Sequence, residues 1–152
     1  MNIFLDTNIF LGIIRSKKVD ELLKFLNPEK NTIYTSVIVE AEIKSIALRN
    51  KWGKDKIAKL EFYLNQFSFI ELTKTFVNTY VEIDTYSQKV NPNFTTHNFD
   101  TPRNMGKNDL WIAATASILG LKLITTDSDF SHLNEVFLDV RQIDIASLKI
   151  YF

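Results

Sequence analysis

Asn2-Ile3-Phe4-Leu5-Asp6-Thr7-Asn8 is the stretch that decides the fold. Ile3, Phe4 and Leu5 form a short, β-prone apolar run, the pattern of a strand buried on both faces. The run stops at Asp6, and Asp6-Thr7-Asn8 are three residues that readily cap a helix. A buried strand handed to a helix through a carboxylate is the start of an α/β unit. It also puts Asp6 at the carboxyl end of its strand, where open parallel sheets bind ligands.

The alternation continues outward from there. Residues 9–15 and 19–26 read as helices, the second stopped by Asn27-Pro28. Residues 32–35 read as a strand, and Ser36 stands where it can cap a helix running to about Asn50. Gly53 interrupts, 55–67 is helical, and 69–72 is a third strand. Phe76, Tyr80, Ile83 and Val90 recur at helical spacing and predict a helix over 75–90. The one long loop, 91–107, holds two prolines, His97, Arg103, Gly106 and Lys107. Loops of this length in compact domains are usually functional or disordered. Residues 108–119 form a helix closed by Gly120, and 121–126 and 137–142 are the fourth and fifth strands. Strands alternating with helices imply a parallel sheet covered on both faces. With no internal repeat and no boundary, residues 1–152 read as a single domain.

Composition narrows the function. The chain has 152 residues, 18 basic against 18 acidic, so no net charge steers it toward a polyanion and any such binding rests on local patches. It has no cysteine, which excludes disulfides and thiolate metal sites and suits a cytoplasmic location. The apolar run at 9–14 is too short to span a bilayer, so no membrane association is expected.

Four carboxylates stand against apolar sequence. Asp6 ends the first strand, and Asp127 ends the fourth. Glu42 shares a helical face with Ile38 and Ile46, whereas Glu40 falls on the opposite side with Lys44 four residues on, a solvated pair. Asp109 shares its face with Ile112, Ala113 and Ala116 in a first helical turn, where it can equally serve as a cap. Desolvating each acid costs several kcal/mol, and four together repel one another. A shared divalent cation offsets both. Asp129 either caps the turn after Asp127 or reaches the metal through water. A carboxylate set without Cys or an associated His selects Mg²⁺ or Mn²⁺, and such ions take phosphate oxygens, which points to phosphodiester or phosphomonoester chemistry. His97 and His132 lie outside the acidic segments and read as structural or surface residues.

Phe4-Leu5-Asp6-Thr7-Asn8, Ser36 with Glu42 six residues later, Asn108-Asp109-Leu110-Trp111-Ile112-Ala113-Ala114-Thr115-Ala116 and Thr125-Thr126-Asp127-Ser128-Asp129-Phe130 resemble, in order, the motifs of PIN-domain ribonucleases. The nearest resemblance is to the VapC-type toxins of bacterial toxin–antitoxin pairs. It implies a three-layer fold with a five-stranded parallel sheet, order 3-2-1-4-5, which makes the strands carrying Asp6 and Asp127 neighbours. It implies that Asp6, Glu42, Asp109 and Asp127 are catalytic metal ligands, that Asn8 and Thr125 orient them, and that Asp129 completes the last motif. It further implies metal-dependent endoribonuclease activity, a small cognate antitoxin and a homodimer. Ser45, where the family often has glycine, and the long 91–106 loop depart from the pattern.

RNA needs holding outside the acidic crevice. Arg49, Lys51, Lys54 and Lys56 cluster near one helix junction, and Arg103 and Lys107 lie on the long loop. Trp52 either stacks on a base or closes the helix turn. Three other readings compete. A haloacid-dehalogenase-like phosphatase needs a second Asp two residues after the first, and that position is Asn8. A non-catalytic binding domain has no need of all four acids. A housekeeping RNA-processing nuclease would lack an antitoxin.

Overall fold

The computed structural model describes residues 1–152. Strand β1 (Ile3–Leu5) is buried throughout, with Phe4 and Leu5 fully enclosed. It pairs in parallel with β2 (Ile33–Ser36) on one side and β4 (Lys122–Thr125) on the other. Adding β3 (Ser68–Ile70) and β5 (Asp139–Gln142) gives one five-stranded parallel sheet in the order β3-β2-β1-β4-β5. The sheet reverses direction of strand addition at β1, so a crevice opens at the carboxyl ends of β1 and its neighbours.

The helices are α1 (Thr7–Arg15), α2 (Val19–Leu26), α3 (Val37–Arg49), α4 (Lys54–Gln66), α5 (Val77–Ser87), α6 (Lys107–Leu119) and α7 (Ile145–Leu148), with short 3₁₀ turns at Lys74–Phe76, Ser128–Leu133 and Lys149–Tyr151. One apolar core joins them to the sheet. Phe10 of α1 is fully buried and meets Phe67 edge-on at 5.3 Å. Truncating such a side chain costs about 3–5 kcal/mol. None of the helices is long and apolar enough to cross a membrane.

Several expected boundaries shift for identifiable reasons. Helix α5 stops at Ser87, and Val90 is 68% exposed instead of continuing the apolar stripe. Ser87 takes the buried position, its hydroxyl hydrogen-bonded to His132 Nε2 at 2.7 Å, and Lys89 turns the chain away with φ 61°. The loop therefore runs over residues 88–106, and Lys107 opens α6 instead of ending the loop. Ser36 stands at the head of α3 but makes no capping bond. Gly120 closes α6 in the left-handed conformation (φ 62°), as its position required.

The long loop is a packed strap. Tyr86 centres an aromatic cluster with Phe94 at 4.7 Å, His97 at 5.2 Å, Phe137 at 5.2 Å, Phe99 at 5.5 Å and His132 at 6.3 Å. Both histidines belong to this cluster, and burial, followed by the nearby Arg103 charge, holds His132 down to about 4.

Candidate metal centre

Asp6 leaves β1 and caps α1. Its Oδ1 accepts the Thr7 amide at 2.8 Å and its Oδ2 accepts the Thr125 hydroxyl at 2.7 Å. The same Thr125 oxygen accepts the Asp127 amide at 2.9 Å, and Asp127 Oδ1 accepts the Asp129 amide at 2.9 Å. On the other side the Thr7 hydroxyl donates to Glu42 Oε1 at 2.8 Å. A continuous chain of hydrogen bonds thus runs from Glu42 on α3, across Asp6, to Asp127 and Asp129 beyond β4. The β1–β4 pairing, Leu5 opposite Ile124, creates it by setting the two strand ends side by side.

Asp109 reaches the same crevice from the first turn of α6. Its cap is Gly106, so the capping alternative does not describe it. Carboxylate oxygens of Asp109, Asp127 and Asp129 lie within 4.8 Å of one another. Asp6 and Glu42 stand close enough to raise the Asp109 pKa but outside that tightest group. Asp129 is hence a full member of the cluster, and the capping role expected of it belongs to Asp127, which receives the Asp129 amide.

Electrostatics register the crowding. Asp109 is raised from 3.8 to about 7, first by burial and then by Asp6, Asp127, Glu42 and Asp129. Its place in a first helical turn opposes this. That effect is worth roughly 0.3–1 kcal/mol, less than one pKa unit at 1.36 kcal/mol per unit, and is outweighed. Asp6 is also raised by burial, against the lowering by its bonds to Thr125 and Thr7. No cation of the chain relieves these acids. Its ion pairs are Lys44–Glu40 (3.7 Å), Lys44–Glu61 (3.6 Å) and Lys122–Asp139 (3.9 Å). The first bears out the reading of Glu40 as a surface residue.

The donor set suits a hard divalent cation: carboxylate oxygens only, no thiolate, and no imidazole, since His132 and His97 are held in the aromatic cluster. Of the residues expected to orient the acids, Thr125 makes the contact. Asn8 is exposed, and Thr7 holds Glu42 in its place. Thr7 Oγ1 binds an acid 35 positions away, so only the adjacency of α1 and α3 exposes its role.

Among the basic residues, Arg49 lines a cleft of about 320 Å³ with Glu42, Ser45 and Asn108. Arg103 lines another of about 260 Å³ with Asn104 and Asp129. Lys51, Lys54 and Lys107 are exposed. Trp52 is half-buried against the core and carries the Lys56 ammonium 4.5 Å above its ring, so it closes the α3–α4 junction.

The model of the PIN domain family matches residues 3–136, taking in all four acidic motifs. The chain belongs to the PIN domain family. Among solved structures, this PIN domain is similar to VapBC2 from Rickettsia felis, determined with a DNA fragment from its promoter. Identity is 25%, with 95% of this chain and 100% of that chain covered and a TM-score of 0.73. VapBC-1 from nontypeable Haemophilus influenzae is 24% identical over 93% of this chain and 98% of that one, TM-score 0.69. VapC20 from Mycobacterium tuberculosis, a toxin that cleaves the Sarcin-Ricin loop, is 16% identical over 91% and 98%, TM-score 0.61. At the two lower identities the likeness is one of fold. No curated protein matches this chain in sequence.

Proposed function

We propose that this PIN domain is a Mg²⁺- or Mn²⁺-dependent endoribonuclease and the toxin of a toxin–antitoxin pair, acting in the cytoplasm. The observation that carries the reading is the convergence of Asp6, Glu42, Asp109, Asp127 and Asp129 on one crevice with no basic side chain paired to any of them. The toxin–antitoxin complexes among its structural neighbours support the second half. They also support a small cognate antitoxin as partner. A homodimer is part of the same proposal.

Asp109, Asp127 and Asp129 would hold the ion, with Asp6 and Glu42 closing its far side. When bound there, a divalent cation would supply Lewis acidity to the phosphate and lower the pKa of a water. The residues do the rest. Thr7 and Thr125 hold Glu42 and Asp6 in position ahead of the reaction, which contributes electrostatic preorganisation. Both Asp6 oxygens already accept hydrogen bonds, whereas Asp109 accepts none from a side chain or amide. We assign Asp109, which accepts no such bond, the role of taking the proton from water. Exposed Lys51, Lys54 and Lys107, with Arg49 and Arg103, would hold the RNA backbone.

The test is cleavage of a mixed RNA pool by purified protein after EDTA treatment. Activity should be absent, then return with Mg²⁺ or Mn²⁺ and leave 5′-phosphate and 3′-hydroxyl ends. Equal cleavage with and without chelator would contradict the proposal.

A further inference from the structure

Two arginines line clefts that reach the acidic crevice, one with Glu42 and the other with Asp129. Arg49 lies on α3, which follows β2, seven residues beyond Glu42 and so about 10 Å further along the helix. Its cleft takes in Glu42, Ser45 and Asn108. Arg103 lies on the strap, in a cleft shared with Asp129 of the turn that follows β4. The hydrogen-bonded chain of acids runs from Glu42 through Thr7, Asp6 and Thr125 to Asp127 and Asp129, so one arginine's cleft meets each of its ends. Each cleft ends on a carboxylate of the cluster and on one guanidinium.

Arg103 is held in place. Its amide donates to Ser87 O at 2.7 Å and its Nη1 to Ser128 O at 3.3 Å, with the guanidinium 5.9 Å from the Phe99 ring. These contacts use one of its five N–H donors and leave the others free. Arg49 makes no side-chain bond at all and is exposed at the end of α3. Neither arginine forms an ion pair, although carboxylates line both clefts.

We infer that one RNA strand crosses the crevice between these arginines, with Arg49 binding a backbone phosphate on one side of the scissile bond and Arg103 a phosphate on the other. A guanidinium suits a phosphate through two parallel N–H···O bonds. The pair supplies the cationic charge that the overall neutral chain lacks, at the two points where a polyanion must approach an acidic centre. The aromatic cluster around Tyr86 thereby acquires a purpose, since it fixes the strap that carries Arg103. The assignment rests on the ribonuclease reading above and deepens it.

The experiment has two arms. In the first, the cleavage site in an oligonucleotide is mapped with wild-type protein. Neutral methylphosphonates then replace, singly, the phosphates within two nucleotides of it. The wild type should lose about tenfold or more in kcat/KM at one position on each side. Arg49→Gln should become indifferent to the replacement on one side only, and Arg103→Gln to that on the other. If both variants respond as the wild type does, or lose sensitivity on the same side, the inference is overturned. The second arm measures equilibrium binding of the same oligonucleotide to the Asp109→Asn protein as salt is raised. Each arginine substitution should reduce the slope of log K against log salt by about 0.7, and the double substitution by about twice that. Unchanged slopes overturn the inference. Should no RNA be cleaved, the ribonuclease reading fails, and binding to single-stranded RNA still decides the place of the arginines.

Discussion

The Thr7 hydroxyl donates to Glu42 Oε1 at 2.8 Å, tying the first turn of α1 to the middle of α3. Because the Thr7 amide holds Asp6 Oδ1 at the same time, one residue sets the spacing of two acids. A hydrogen bond to a charged group is worth about 1.5–3 kcal/mol, and 1.36 kcal/mol is tenfold in rate. Thr7→Val keeps shape and amide and removes only the hydroxyl. It should lower kcat/KM on RNA by roughly ten- to a hundredfold while the melting temperature changes by only a few degrees. Full activity in this variant would show that Glu42 needs no support.

A second expectation follows from the raised Asp109 pKa. Unfolded, the group ionises near 3.8. Folded, it ionises near 7. Between these values the folded state binds the extra proton, so this group's contribution to stability is complete below about pH 4 and is lost as pH rises through 7. Asp6, also raised, acts in the same direction. His132 opposes them, since its depressed value costs stability as pH falls from 6.5 toward 4. Comparing Asp109→Asn with wild type cancels that term. In EDTA the variant should melt higher than wild type at pH 7.5, with the gain vanishing near pH 4. Each kcal/mol relieved is worth about 2–4 °C in a chain of this size. Adding Mn²⁺ should reverse the ranking at pH 7.5, because only the wild type gains from binding it. A variant that melts lower than wild type at pH 7.5 in EDTA, but not near pH 4, would mean that the Asp109 charge stabilises the fold.

The sheet and the acids at its edge were legible for different reasons than the contacts between them. Asp6 and Asp109 stand out because Ile3-Phe4-Leu5 and Leu110-Trp111-Ile112 leave them no apolar role. Glu42 stands out by its place between Ile38 and Ile46. Thr7, by contrast, is invisible locally because its partner is 35 residues away. The sequence leaves Asp129 between a cap and a metal contact through water, because its direction depends on the turn that follows β4. The turn at Ser128–Leu133 returns Asp129 to the crevice. The end of α5 depends on a distant contact in the same way. Val90 fits the helical period, but the tertiary bond from Ser87 to His132 decides where the buried stripe ends.

The partner proposal has its own test. An acidic crevice with no internal cation is a natural seat for an Arg or Lys from an inhibitor. Expression of this chain alone should slow growth of a bacterial host, and co-expression of a small protein encoded beside it should restore growth. Because that basic side chain and the metal compete for the same oxygens, raising Mg²⁺ should weaken the complex. Tight binding of the small protein to an Asp6→Ala, Asp109→Ala double variant, unaffected by Mg²⁺, would place inhibition elsewhere.

The most direct measurement compares RNA cleavage in Mg²⁺ by wild type and by Asp6→Asn, Glu42→Gln, Asp109→Asn and Asp127→Asn, with Glu40→Gln as a control one helical face away. The account predicts that the four substitutions each reduce the rate by a hundredfold or more in folded protein, and that Glu40→Gln, whose carboxylate pairs with Lys44 at the surface, cleaves like wild type. Full activity in Asp6→Asn or Asp109→Asn, or a loss as deep in Glu40→Gln as in Glu42→Gln, would contradict it.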